Sequence, residues 1–93
     1  MQPNIVFVFA DQLRHSSVGC YGNEQVKTPN MDCLATEGLV MENAFSSCPI
    51  CAPYRAELLS GMYAHNNLVV CNEYEMRKDV ETFPEQLRKV GYK

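Results

Sequence analysis

No apolar run in this 93-residue chain approaches the ~20 residues that a helical membrane span requires. The longest, Ile5 to Ala10, is only of strand length, and it lacks the basic start and small-residue cleavage site of a secretory leader. The expected location is therefore cytoplasmic, or periplasmic or secreted if a leader has been removed. An excess of basic charge is missing as well. The formal net charge is −3, which gives no positive field for nucleic acid. There is no internal repeat, linker or low-complexity segment. A disulfide framework is not expected, because Cys20, Cys33, Cys48, Cys51 and Cys71 are odd in number and irregular in spacing. With 46% hydrophobic and 20% charged residues, what remains is an ordinary globular composition.

The run Asn4–Phe9 is β-branched and aromatic from Ile5 onward. It reads as a strand buried on both faces, the kind found in a parallel sheet covered by helices. It ends at Ala10-Asp11-Gln12, which puts polar groups at the carboxyl end of the strand, where open α/β sheets bind ligands. Residues 14–27 are polar, contain Gly19 and Gly22, and read as loop. Thr28-Pro29 opens a helix, with Thr28 able to cap it and Pro29 in its first turn. Met31, Leu34 and Ala35 form its apolar side, and Gly38 ends it. Leu39–Phe45 reads as a second strand. Pro53 starts a short helix that runs to Ser60 and stops at Gly61. Residues 62–78 carry weak signals, with a short strand conceivable at Leu68-Val69-Val70. Thr82 and Glu85 have capping-box spacing, with Pro84 in the first turn. Phe83, Leu87 and Val90 line one face of that helix, Gly91 closes it, and Tyr92-Lys93 starts another strand. This order is that of an α/β fold. Two or three strands are too few for a doubly covered sheet, and a domain of this length would bury little more than ~60% of its unfolded surface. The chain therefore reads as the opening of a larger domain.

The segment richest in chemistry is Cys51-Ala52-Pro53-Tyr54-Arg55-Ala56-Glu57-Leu58-Leu59-Ser60-Gly61. It places a cysteine at a helix entrance, where backbone N–H groups and the helix dipole favour an anion and a reactive thiol. Arg55 follows four residues later. If the helical turn begins at or near Cys51, both side chains share one face. A guanidinium beside a nucleophile at such a helix end suits a tetrahedral oxyanion such as sulfate or phosphate.

Cys-x-Pro-x-Arg followed by Leu-Leu-Ser-Gly resembles the signature of the type I, formylglycine-dependent sulfatases of the alkaline-phosphatase-like superfamily. Asn4–Leu13 resembles the family's first strand. Thr28–Ala35 with Glu37-Gly38, and Gly61–Asn66, resemble further family segments in the right order, so the likeness spans nearly the whole chain. It implies an N-terminal portion of one catalytic domain covering 1–93, in an α/β fold whose parallel-type sheet is flanked by helices. The implied activity is sulfuric ester hydrolysis. Cys51 would be oxidised to formylglycine by a maturation enzyme that reads Cys-x-Pro-x-Arg in the unfolded chain. Hydrated, it would attack sulfur and form a covalent sulfate intermediate. A divalent cation, Ca²⁺ or else Mg²⁺, would be held by Asp11, Gln12 and position 51, and Arg55 would steady the formylglycine. Gln12 stands where many relatives carry Asp, which removes one negative charge from the metal site. Tyr54 stands where Ser is usual. The family's catalytic Lys and His follow the Thr82–Val90 helix, so these residues alone are expected to be inactive.

Other readings accompany each of these. The same resemblance allows a phosphonate or phosphate ester hydrolase, or an unmodified, non-catalytic protein. Cys48-Pro49-Ile50-Cys51 is also a Cys-x-x-Cys of the redox or zinc type, though without a second pair or a spaced histidine. Asp11 could cap a turn, and Arg55 taken alone would be a solvated charge. His65 sits at the margin of the site at best, and His15 reads as a loop residue. The Met and Tyr residues read as packing. Glu24, Glu73, Glu75, Glu81, Arg77 and Lys78 read as solvated faces.

Overall fold

A computed structural model describes residues 2–93. The chain divides into two units, Met1–Ala44 and Phe45–Lys93. Among the described residues there are four α-helices: α1 Pro29–Glu37, α2 Cys51–Ser60, α3 Ala64–Asn67 and α4 Phe83–Lys89. Two single 3₁₀ turns, His15–Ser17 and Gly19–Tyr21, precede α1.

The expected sheet is not formed. Among the described residues no strand occurs at 4–9, 39–45 or 68–70, and none begins at Tyr92-Lys93. Ile5, Phe7 and Phe9 are 55%, 53% and 45% exposed on one set of alternate positions, and Val6 and Val8 are 83% exposed on the other. The reason is physical: a strand exists through the ladder of a neighbour, and a parallel neighbour lies a full crossover away. β-propensity makes a run ready for a sheet without supplying the partner.

In the first unit, the polar stretch before α1 is organised by two short side chains. The Asn23 carbonyl oxygen accepts from the Gln25 and Val26 amides at 3.0 and 2.7 Å, and its amide nitrogen donates to Ser16 O at 2.6 Å. Asp32, in the first turn of α1, receives the Cys20 N–H at 2.7 Å and the Thr28 hydroxyl at 3.0 Å. Thr28 does occupy the N-cap position, but its hydroxyl makes no cap bond. It accepts instead from the Gly19 N–H at 2.8 Å, because the loop offers a donor that competes with the helix end. At Gly19 the approach is so close that a Cβ would stand 2.5 Å from Asp32 Oδ2. These bonds dock the Gly19–Tyr21 turn on α1 and bury Val18 to 2% exposure. Met31 and Leu34 stay exposed and line a groove of about 400 Å³ with Val18, Tyr21 and Leu39.

In the second unit, α2 packs against α3 and α4. It begins at Cys51, two residues earlier than Pro53 indicates, because proline is tolerated anywhere in the first turn, where its missing N–H has no partner to lose. It ends at Gly61, whose φ of 67° is left-handed and whose N–H returns to Glu57 O at 2.8 Å. Pro53, Ala56 and Val69 are buried, and Asn67 is fully so. Asn67 is satisfied on every side: Nδ2 donates to Met62 O at 3.0 Å, and Oδ1 accepts from Val69 N–H at 2.8 Å. Its own carbonyl accepts from the Arg77 amide at 3.2 Å. The following residue, Leu68, is left-handed at φ 69° with half its surface exposed. The capping box of α4 is formed, with the Glu85 carboxylate accepting from the Thr82 N–H at 2.6 Å.

Two outcomes follow from these backbone and cap positions. Leu68→Gly relieves a left-handed Cβ and should raise stability by about 1 kcal/mol, while Gly61→Ala should lower it by a similar amount, read as shifts in urea midpoint. The Glu85 carboxyl is held below its ordinary range, first by the Thr82 amide, then by the Thr82 hydroxyl, with help from Arg88 and Lys89. A depressed folded-state value means the cap contributes fully above the ordinary carboxylate range and is lost as pH falls through the lowered value. Carboxyl NMR should therefore show Glu85 titrating below the ordinary glutamate range, and α4 should fray with it; Glu85→Gln should remove that pH dependence.

Candidate active site

Cys51 is the first residue of α2 and is an exposed, free thiol. Its N-cap neighbour, Ile50, is extended at φ −119° and ψ 147° and has no side chain able to cap. The Tyr54 amide closes the first helical bond to Ile50 O at 2.9 Å. Arg55 lies one turn along α2, is exposed, and shares the face of Cys51 through the i, i+4 spacing. The structure therefore brings together the two predicted catalytic residues on one helical face at an N-terminus. Such an end presents backbone donors and a partial positive charge, to which the guanidinium adds a full one.

The surroundings of α2 are held by residues that sequence reasoning missed. Glu57 Oε2 accepts from the Ser47 hydroxyl at 2.7 Å, and Oε1 accepts from the Ala64 amide at 2.9 Å. The segment entering α2 and the helix leaving it are thus tied to one carboxylate. Ser60 Oγ donates to Ala56 O at 2.6 Å and accepts from the Met62 amide at 3.2 Å, which shapes the turn at Gly61. Asn72 reaches back from a turn at 71–74 and accepts the Ala52 N–H on Oδ1 at 3.0 Å. Glu57 and Ser60 lie in the stretch singled out from the sequence, Ser60 within Leu-Leu-Ser-Gly, but nothing local marks the bonds they make, and Asn72 stands at no motif position. The separations of 10, 7 and 20 residues are tertiary information.

The remaining cysteines and histidines are placed as follows. Cys48 is partly covered and lies in the segment before α2, where its carbonyl accepts from the Ile50 amide at 2.9 Å. Cys71 carries a thiol whose pKa is raised, chiefly by its hydrogen bond to the Glu73 carboxylate and then by desolvation. That bond holds Glu73 low in turn, and the arrangement disfavours the Cys71 thiolate. His65 lies in α3, stacked on Tyr63 with ring centroids 5.7 Å apart, and His15 packs on Tyr21 at 3.9 Å.

Asp11 and Gln12 stand on a turn of the first unit, both exposed, with Gln12 left-handed at φ 56°. Backbone in that region is uncommon outside glycine and turns up at functional sites. The two offer one carboxylate and one amide oxygen. Among the described residues, no group of three or more His, Cys, Asp or Glu is placed to hold a metal ion. Hard oxygen donors of this kind fit Ca²⁺ or Mg²⁺ chemically, but two fall short of the ~6–8 that Ca²⁺ takes. No helix among the described residues is long and apolar enough to cross a membrane.

The chain resembles several curated proteins over almost all of its length. It is 41% identical over 91 residues to an ulvan-active sulfatase of Formosa agariphila, covering 98% of the chain and 18% of that relative. It is 40% identical over 93 residues to an arylsulfatase of Clostridium perfringens, covering 99% of the chain and 19% of the relative. To an N-acetylglucosamine-6-O-sulfatase of Bacteroides thetaiotaomicron it is 35% identical over 91 residues, covering 98% of the chain and 16% of the relative. The chain thus spans less than a fifth of the length of these proteins. No solved structure matches it. The family described as Sulfatase matches residues 3–93, and the chain belongs to that family.

Proposed function

We propose that the protein carrying this chain is a sulfuric ester hydrolase in which position 51, converted from cysteine to formylglycine, supplies the nucleophile. The observation that supports this most directly is the exposed Cys51 at the first residue of α2, with Arg55 one turn behind it. Hydration of the aldehyde gives two hydroxyls on one carbon. One attacks sulfur, the S–O bond to the alcohol breaks, and the alcohol leaves with a proton. The second hydroxyl then loses its proton, the carbon–oxygen bond to sulfate breaks, and the aldehyde returns with sulfate released. Water is consumed and nothing is oxidised or reduced in the cycle.

Arg55 offsets charge on the sulfate oxygens and orients position 51, while the N-terminus of α2 adds its dipole. Asp11 and Gln12 would hold a divalent cation together with position 51 and with oxygen ligands from elsewhere in the protein. Bound there, the cation would polarise the sulfate. The α/β, alkaline-phosphatase-like architecture characteristic of the family gives the apolar runs at 4–9 and 39–45 a reason: they would pair as strands in the complete domain. A maturation enzyme acting on Cys-x-Pro-x-Arg and a sulfate ester are the partners this reading requires. The names of the relatives, which cover ulvan, aryl and N-acetylglucosamine sulfates, point to a sulfated carbohydrate or aryl substrate class.

Intact mass of the protein from a host that has the maturation system should show Cys51 with its CH₂–SH replaced by CHO; an unchanged thiol would favour the non-catalytic reading. Side-by-side assays on aryl sulfate, phosphonate and phosphate esters should favour sulfate. Arg55→Ala in the full-length protein should lower kcat by roughly 10²–10³-fold, with Cys51 conversion checked by peptide mass.

A further inference from the structure

The α2 N-terminus has an unusual difficulty. Its N-cap residue is Ile50, which carries no acceptor, and its third residue is Pro53, which carries no N–H. The Tyr54 amide is already committed to Ile50 O. The Cys51 and Ala52 amides are therefore the donors the first turn still has to place. Ala52 places its N–H on Asn72 Oδ1 at 3.0 Å, so the cap comes from 20 residues downstream.

Asn72 is delivered to that point by an anchored segment. Upstream, Asn67 is fully buried and bonds the Val69 amide, and Val69 is only 3% exposed. The turn bearing Asn72 is closed by the Tyr74 amide on Cys71 O at 3.3 Å. Downstream, the Arg77 amide returns to Asn67 O at 3.2 Å, so both flanks of the turn are tied to one buried residue. The Asn72 side chain is itself exposed and contributes nothing to the core. What it holds is the peptide that follows Cys51.

We propose that Asn72 is a positioning residue for position 51: it caps α2 in place of Ile50 and fixes the Cys51–Ala52 peptide, and with it the direction in which the side chain at 51 leaves the helix. This rests on the reading of position 51 as the seat of the nucleophile. The substrate need not touch Asn72 for the effect to operate.

The test uses the chain with Cys51 left as a thiol, so that it does not depend on maturation or on turnover. Asn72→Ala should speed hydrogen exchange at the Ala52 amide by roughly three- to tenfold, while the Gln86 amide in α4 stays unchanged. Asn72→Asp keeps the acceptor and should leave Ala52 protected. Alkylation of Cys51 by iodoacetamide at fixed pH, followed by peptide mass, should change at least twofold in rate in Asn72→Ala, because the Cys51–Ala52 peptide that sets the direction of the side chain at 51 is no longer fixed. Unchanged Ala52 exchange would overturn the cap. Faster exchange with unchanged alkylation would leave a cap that stabilises α2 but positions nothing, and would overturn the proposal equally. Absence of sulfate ester hydrolysis by the full-length protein is a separate result, which counts against the proposed function and leaves these two readouts standing.

Discussion

The carboxylate of Glu57 is the constraint on which the second unit turns. One oxygen takes the Ser47 hydroxyl and the other takes the Ala64 amide, so a single side chain in the middle of α2 closes the segments on both sides of it. Charge-assisted bonds of this kind are stronger than neutral ones, and a bidentate acceptor sets an angle as well as a distance. The turn at Gly61 lies within the loop that Glu57 closes, and α3, with the buried Asn67 at its end, starts from the residue where that loop is tied. The exposed Cys51 can stand at a helix end because the body of that helix is secured elsewhere.

How much of this could be read in advance depended on the range of the physics. The ends of α1, α2 and α4 were legible because Pro29, Gly38, Gly61 and the Thr82–Glu85 pair act within a turn of where they sit. The pairing of Cys51 with Arg55 was legible for the same reason, since four residues along a helix is one face. The strands expected at 4–9 and 39–45 do not form among the described residues, because β-propensity alone does not make a ladder. The helix α3 and the left-handed Leu68 gave no local signal; both follow from the buried Asn67, whose partners lie on either side of them. The proposed metal ligands Asp11 and Gln12 were legible as hard donors on a turn. The rest of a coordination sphere is a property of distant segments, which no local pattern encodes.

Exposed apolar surface makes the same point from the outside. Val6, Val8, Leu39 and Phe45 are all more than four-fifths exposed, while among the described residues the buried apolar set reduces to Val18, Ala56 and Val69 with Pro53. Polar side chains carry much of the order instead: Asn23 and Asp32 in the first unit, Glu57, Ser60 and Asn67 in the second. These segments hold their local shape by hydrogen bonds rather than by apolar burial.

The close approach of Gly19 to Asp32 has an evolutionary corollary. A methyl group at 19 would occupy the space of the very carboxylate that receives the Cys20 amide and the Thr28 hydroxyl. Neither position can drift alone: a larger residue at 19 evicts the acid, and a lost acid strands the donors gathered around it. Across homologous chains the two sites should therefore inherit their identities as a couple, with Thr28 as their shared dependant.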